Sequence, residues 1–391
     1  MNRVVILGAL LVATQTVSVQ QAPESVSKFA FDLYKHISMD KGENVVFAPF
    51  SITPAFGMVT LGAKDETEKQ LLQVFRFPDN QPSLHVNLGK LQRTIQHDAH
   101  SSIDISITNR VWMEKTYRVN PSYRRSLQKF YGAKVAPADF TRNPEMSREK
   151  INKTVQADTK NYIKNLLPQG SVTGVTRLVL TNAIYFKGKW AVPFDTKKTS
   201  QRNFSLSSGE TVKCATMFVE DTMGYFKGDD YEALQLNYKG NNLSMLILLP
   251  NEGVKILDFE QELSYELYID AINGLTRDKF GVYLPKFRIE TGLSLKNTLS
   301  EMGMPVAFTD NADFSGISGK KDLKISDAFH KAFIEVSEEG TTAAAATAVV
   351  IAIKSMPRMN SFAANRPFVY ILRHNSSNTI LFMGKVENPN K

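Results

Sequence analysis

The sequence predicts an α+β fold, with helices packed on large mixed β-sheets. Three observations carry this expectation. Apolar residues recur at helical spacing mainly in the first half of the chain. Strand-like apolar runs gather in the second half. No Pro/Gly/Ser-rich linker, charge block or internal repeat divides the 391 residues. Helices segregated from strands argue for sheets covered by helices, and an undivided chain with ample apolar content argues for one large domain over 23–391.

The elements follow in order. Arg3 precedes an apolar run from Val4 to Ala13, after which polar residues return with small ones at Ser18 and Ala22. This reads as a secretory leader over about 1–22. The run is too short for a spanning helix of about 20 residues, and no later stretch reads as one, so no membrane contact is expected. Val26, Phe29, Ala30, Leu33, Tyr34 and Ile37 then mark an amphipathic helix. Further helical patterns lie near 53–75, 84–97, 122–131 and 147–166. Strand-like runs fall at Leu178–Phe186, Leu243–Pro250, Ala332–Val336, Phe368–Leu372 and Thr379–Val386.

Composition narrows the class. The chain is 42% hydrophobic and 22% charged, with a formal charge of +8. That charge permits an anionic partner without requiring one. Aromatic residues do not interleave with basic runs, so nucleic-acid binding has no support. A single cysteine, Cys214, allows no intrachain disulfide. Asn-x-Ser/Thr triplets at Asn152, Asn203, Asn242 and Asn375 are candidate glycan acceptors in a secreted chain.

A search for catalytic groups yields little. The chain has no H-E-x-x-H, G-x-S-x-G or G-x-x-x-x-G-K-[ST] pattern. His97 and His100 share helical spacing, but no third ligand stands nearby, so a solvated helix end is the better reading than a metal site. Cys214 has no catalytic signature around it and reads as a structural thiol. Neither an enzyme nor a bound cofactor or metal is expected.

The most informative segment is Glu338-Glu339-Gly340-Thr341-Thr342-Ala343-Ala344-Ala345-Ala346-Thr347-Ala348. Alanine favours helix, yet threonines interrupt the run and Val349, Val350 and Ile351 follow. The segment suits either helix or strand.

This stretch resembles the hinge of the serpin family, and Phe362-Ala363-Ala364-Asn365-Arg366-Pro367-Phe368-Val369 resembles that family's C-terminal signature. Other blocks agree in order. They are Asn44–Ile52, Leu180–Trp190, Leu284-Pro285-Lys286-Phe287, Met302-Gly303-Met304 and Ile325–Ala332. The resemblance runs from about residue 26 to 390. Two positions depart from the pattern: Ala48 stands where serine is usual, and Thr154 where tryptophan is common.

The resemblance implies a protease inhibitor that works as a conformational trap. A serine protease attacks an exposed loop, here about 338–364, and becomes esterified to it. The loop then inserts as a strand into the main sheet. In a strand, Thr341, Ala343, Ala345, Thr347 and Val349 share one face. That face is assigned to the core, and none of the five is charged. The family's scissile residue closes a seventeen-residue stretch from the hinge glutamate, which ends here on Lys354 and makes Lys354–Ser355 the bait bond. Arg358–Met359 and Ile353–Lys354 are the runner-up bonds. A lysine bait implies trypsin-like proteases of clotting, fibrinolytic or immune cascades. Ser51, Asn182 and His330 match the family's shutter; Trp190, Lys286 and Glu338 match its breach, with Lys286 and Glu338 expected to pair. Lys90 and Arg93, with Arg124, Arg125, Lys129 and Lys134, read either as a solvated face or as a weak site for heparin or another sulfated glycan. A secreted or granule-stored monomer is expected. A non-inhibitory carrier or binding protein on the same fold is the competing reading, and its members tend to carry bulk, charge or proline in the hinge.

Overall fold

The computed structural model describes residues 21–37, 42–79, 81–99, 103–341 and 360–391. The leader expected over 1–22 falls mostly outside them. Residues 21 and 22 already belong to the first helix, α1 (21–37), and Ala22 is buried at 3% exposure. The folded body therefore reaches into the span assigned to the leader.

Helices dominate the first part of the chain. Pro49 pre-sets the first turn of α2 (Pro49–Thr60), which is buried along its whole length. The single helix expected over 53–75 is two. The chain turns at Gly62, where a Cβ would lie 2.2 Å from Ile317, and α3 (Asp65–Val74) follows. Next come α4 (Gln81–Asp98) and α5 (Pro121–Tyr131). Asn120 caps α5 through the Ser122 amide, and Gly132 ends it in the left-handed region. The helix expected over 147–166 is α6 (Pro144–Asp158). It stops because the Thr159 hydroxyl bonds back to the Val155 carbonyl at 2.8 Å and Lys160 and Asn161 turn to positive φ.

Two sheets form the body. Among the described residues, one sheet has six strands. Its order is β10 (Phe287–Ser294), β11 (Asp327–Ser337), β12 (Gly340–Thr341), β4 (Leu178–Lys189), β2 (Ile103–Glu114) and β3 (Val135–Ala138). The other has nine strands. It runs β1 (Val45–Phe47), β15 (Thr379–Val386), β14 (Phe368–His374), β8 (Leu243–Pro250), β7 (Tyr231–Asn237), β6 (Thr211–Lys227), β9 (Thr276–Pro285) and β13 (Asn360–Ala363), with β5 (Ser200–Ser205) on β6. The α+β expectation of helices on large mixed sheets holds.

Side chains of β4 alternate between two cores. Leu178, Leu180, Ile184 and Phe186 enter the main core beneath the sheet. Val179 and Ala183 enter a second cluster with Phe329 and Phe333 of β11 and Ile151 and Val155 of α6. Thus α6 lies on the outer face of the six-stranded sheet, against β2, and shares an apolar cluster with side chains of β4 and β11.

Candidate functional site

The seam is two-part. In its lower part β4 and β11 pair directly and in parallel, from Val179 opposite Asp327 to Tyr185 opposite Phe333. In its upper part β12 stands between them. Thr341 pairs with Val336 of β11 on one side and Gly188 of β4 on the other; Gly340 pairs with Ser337 and Lys189. Two residues of the loop are therefore already a strand of this sheet.

Their side chains explain why they fit. Gly340 has φ +148°, a conformation that favours glycine, and a Cβ there would lie 2.0 Å from the Gly188 carbonyl oxygen. Thr341 is fully buried, and its hydroxyl lies 3.0 Å from the Tyr238 hydroxyl. Val336, opposite Thr341, belongs to the main core, so Thr341 is on the core face. Thr342 to Ala348 and the Lys354–Ser355 bond lie outside the described residues, as does His100.

Trp190 closes the top of the seam. Its indole Nε1 donates to the Ser337 carbonyl at 2.9 Å, and its amide donates to the Glu339 carbonyl at 3.0 Å. The ring stacks on Tyr238 with centroids 4.5 Å apart. Lys286 Nζ lies 2.9 Å from Glu338 Oε2, and Thr199 donates to Glu338 Oε1 at 2.8 Å. Burial acts to raise the Glu338 carboxyl, but the Lys286 ammonium and hydrogen bonds outweigh it and hold the group below its ordinary range.

Lower down, register places three polar side chains in one row. Asn182 of β4 stands opposite His330 of β11 and Asn109 of β2. Ser51 reaches the row from α2, donating to Asn182 Oδ1 at 2.8 Å. His330 Nδ1 also bonds Asn182 Oδ1, and Asn182 donates its amide to Asn109. Asn109 in turn donates to the Ser51 carbonyl at 3.1 Å. The Ala48 amide donates to His330 Nε2 at 3.1 Å, which leaves the proton on Nδ1 and the ring neutral. Complete burial pushes the His330 pKa down to about 3. Ser51, Asn182 and His330 thus meet. Asn109 is a fourth member that sequence reading missed, since only the β2–β4 register brings it there.

The glycan candidates separate. Asn152 is corrected: it is buried, its Oδ1 accepts from the Leu167 amide at 2.8 Å and its Nδ2 donates to the Leu167 carbonyl at 3.0 Å, so the folded chain offers no room for a sugar on that nitrogen. Asn203 is exposed on β5, while Asn242 and Asn375 are half-buried, with amides directed to backbone carbonyls. Cys214 is buried beside Thr216, and burial raises its thiol pKa. Among the described residues, no group of three or more His, Cys, Asp or Glu side chains is placed to hold a metal, and no helix is long and apolar enough to cross a membrane. Lys90 and Arg93 on α4 and Arg124, Arg125 and Lys129 on α5 are all exposed. Gly89 lets the two helices approach, since a Cβ there would lie 2.2 Å from the Phe130 carbonyl oxygen.

Comparison with known proteins gives a consistent picture. The family model described as "Serpin (serine protease inhibitor)" matches residues 24–389. Antithrombin-III of Mus musculus is 38% identical over 374 residues, covering 93% of this chain and 80% of that protein. Serpin B3 of Homo sapiens is 38% identical over 387 residues, covering 94% and 99%. The structure of human thyroxine-binding globulin complexed with thyroxine superposes with a TM-score of 0.87 at 27% identity, covering 95% of this chain and 99% of that one.

Proposed function

Since this chain belongs to the serpin family, we propose that it is a secreted inhibitor that traps a trypsin-like serine protease at the Lys354–Ser355 bond. The protease serine attacks the Lys354 carbonyl, an ester forms at Lys354, and Ser355 leaves as a new amino terminus. The loop N-terminal to that ester then runs down the seam as a full strand. The attached protease is carried with it before water reaches the ester.

The observation that carries this reading is the start of that strand. Gly340 and Thr341 already separate β11 from β4 at the top, where the seam is open, while β4 and β11 remain paired below. Continuing in register puts Ala343, Ala345 and Thr347 on the core face after Thr341. All three are small, so insertion can extend the ladder and bury apolar surface at about 25 cal/mol per Å². A charge on that face would cost several kcal/mol if buried unpaired.

A lysine bait fits a specificity pocket with an acidic base, hence the trypsin-like class. The apolar run Val4–Ala13 supports secretion and the exposed Asn203 supports glycosylation there. The exposed cations of α4 and α5 support, at most, a weak contact with a sulfated glycan. The protein acts as a monomer in this reading.

The test is incubation with trypsin followed by mass spectrometry of the small C-terminal fragment. A fragment beginning at Ser355 is expected, together with an SDS-stable complex. A fragment beginning at Met359 would move the bait to Arg358. Lys354→Ala is expected to abolish the complex while leaving thermal stability unchanged.

A further inference from the structure

The geometry points to a binding site for a small organic anion with an apolar body, in the cleft where β6 leaves β7. The two strands pair only from Gly224 opposite Gln235 to Lys227 opposite Glu232. Before Gly224, β6 continues beside β9, whereas β7 runs on to Asn237 without it. The space between holds a cavity of about 520 Å³. Gly224 keeps it open at the fork, where even a Cβ would lie 3.3 Å from Gln235.

Part of the polar lining is a set of donors, with Asp221 the one carboxylate among the described residues that line the cleft. Arg373 lines the cleft and is only 4% exposed. Its Nη1 donates to Asn378 Oδ1 at 2.5 Å and its Nη2 to Gln235 Oε1 at 2.7 Å, both neutral amides. Its Nε is buried with no hydrogen-bond partner. Among the described residues it has no carboxylate partner. Burial holds its guanidinium below the ordinary range. Gln235 passes the polarity on by donating Nε2 to Asn237 Oδ1 at 2.9 Å, which leaves the Asn237 amide nitrogen as a further donor. Arg277 stands at the rim, exposed and without an ion pair among the described residues. A buried cation without a counter-charge is costly, and a bound carboxylate removes that cost while accepting from the idle N–H groups.

The rest of the lining is mixed, with Thr222, Asn241 and Asn375 polar and a share of it apolar. Trp190, Met223 and Leu275 line the cavity, and Val192, 39% exposed, stands at its edge. This suits a hydrocarbon or aromatic body behind the charge. Asp221 also lines the cleft, on β6. It repels an anion, so the charged end belongs toward Arg373 and Arg277.

The test is isothermal titration calorimetry of the full chain with 2-naphthoate, its neutral isostere 2-naphthamide, and inorganic phosphate. Naphthoate is expected to bind saturably, with the amide and phosphate each at least about tenfold weaker. Arg277→Ser is expected to weaken naphthoate about tenfold, and Asp221→Asn to strengthen it severalfold. Arg277 is exposed and Asp221 is half-buried with no ion pair among the described residues, and Asp221→Asn keeps the side chain's size, so neither substitution threatens folding. Equal binding of naphthoate and naphthamide, or an unchanged affinity in both variants, would overturn the anion site. Phosphate binding as tightly as naphthoate would overturn the apolar half of the assignment.

Discussion

Asn182 and His330 stand opposite each other across the β4–β11 seam, and Asn182 Oδ1 accepts from both the His330 ring and the Ser51 hydroxyl. This one oxygen ties together the two strands between which the proposed insertion would run, and the helix beneath them.

Asn182→Ala is expected to destabilise the native chain by about 2–4 kcal/mol. The substitution leaves the His330 N–H and Asn109 Oδ1 to find new partners in a buried site, at about 1–3 kcal/mol for each that fails, while the Ser51 hydroxyl keeps the Ala48 carbonyl at 3.0 Å. Guanidinium unfolding of the uncleaved protein measures this. The same substitution should also ease opening of the seam, seen as faster hydrogen exchange in peptides covering 179–185 and 327–333.

Stability should fall as the solution is acidified from pH 6.5 to 5. Burial pushes His330 down to about 3 and His85 to about 4, from an ordinary 6.5. Between those values the unfolded chain binds protons that the native chain refuses. The contribution is therefore fully present above pH 6.5 and is lost as pH falls, by at most about 1.4 kcal/mol per pH unit for each histidine. Denaturant midpoints taken across this window give the slope, and His330→Gln should reduce it by one proton.

Gly340→Ala should expel β12 from the sheet. Its Cβ would meet the Gly188 carbonyl oxygen at 2.0 Å and the Lys189 Cα at 2.7 Å, and both are backbone atoms that cannot step aside. The residue would also hold a φ that costs an alanine about 1–3 kcal/mol. Hydrogen exchange at Gly188, Lys189 and Thr341 reads this directly. Protection equal to wild type would contradict the placement of β12.

Much of this is legible in the sequence. The run from Glu338 to Ala348 was informative because a strand entering a closing sheet needs small, uncharged residues, and that need is written in side-chain size alone. The central strands stood out because both faces of β4 are buried. Strand β2 carries a signal of another kind, Ile103, Ile105 and Ile107 alternating with Asp104, Ser106 and Thr108, which a search for continuous apolar runs passes over because the strand is only half-buried for most of that stretch. The helical pattern over 147–166 overruns the end of α6 at Asp158 because Lys160 and Asn161 give no compositional sign of a left-handed turn. Asn109 was invisible because its part in the site depends on strand register, a long-range property. Asn152 failed as a glycan acceptor for a related reason, since its triplet is local while its burial against Leu167 is tertiary. The donors Arg373, Gln235 and Asn237 likewise come together only where β7 and β14 share one sheet.

The central claim is that the loop inhibits by entering the seam below β12, and Thr341→Arg tests it most directly. Thr341 is fully buried on the core face beside Tyr238, and an arginine there must be desolvated without a partner before the strand can extend. The bait at Lys354 is far along the loop, so acylation should proceed normally. The measurement is the partition between SDS-stable complex and cleaved chain after mixing with a slight excess of trypsin. Wild type is expected to give mainly complex, whereas Thr341→Arg should give mainly cleaved chain and release active trypsin. If Thr341→Arg forms as much complex as wild type, loop insertion is not the trap.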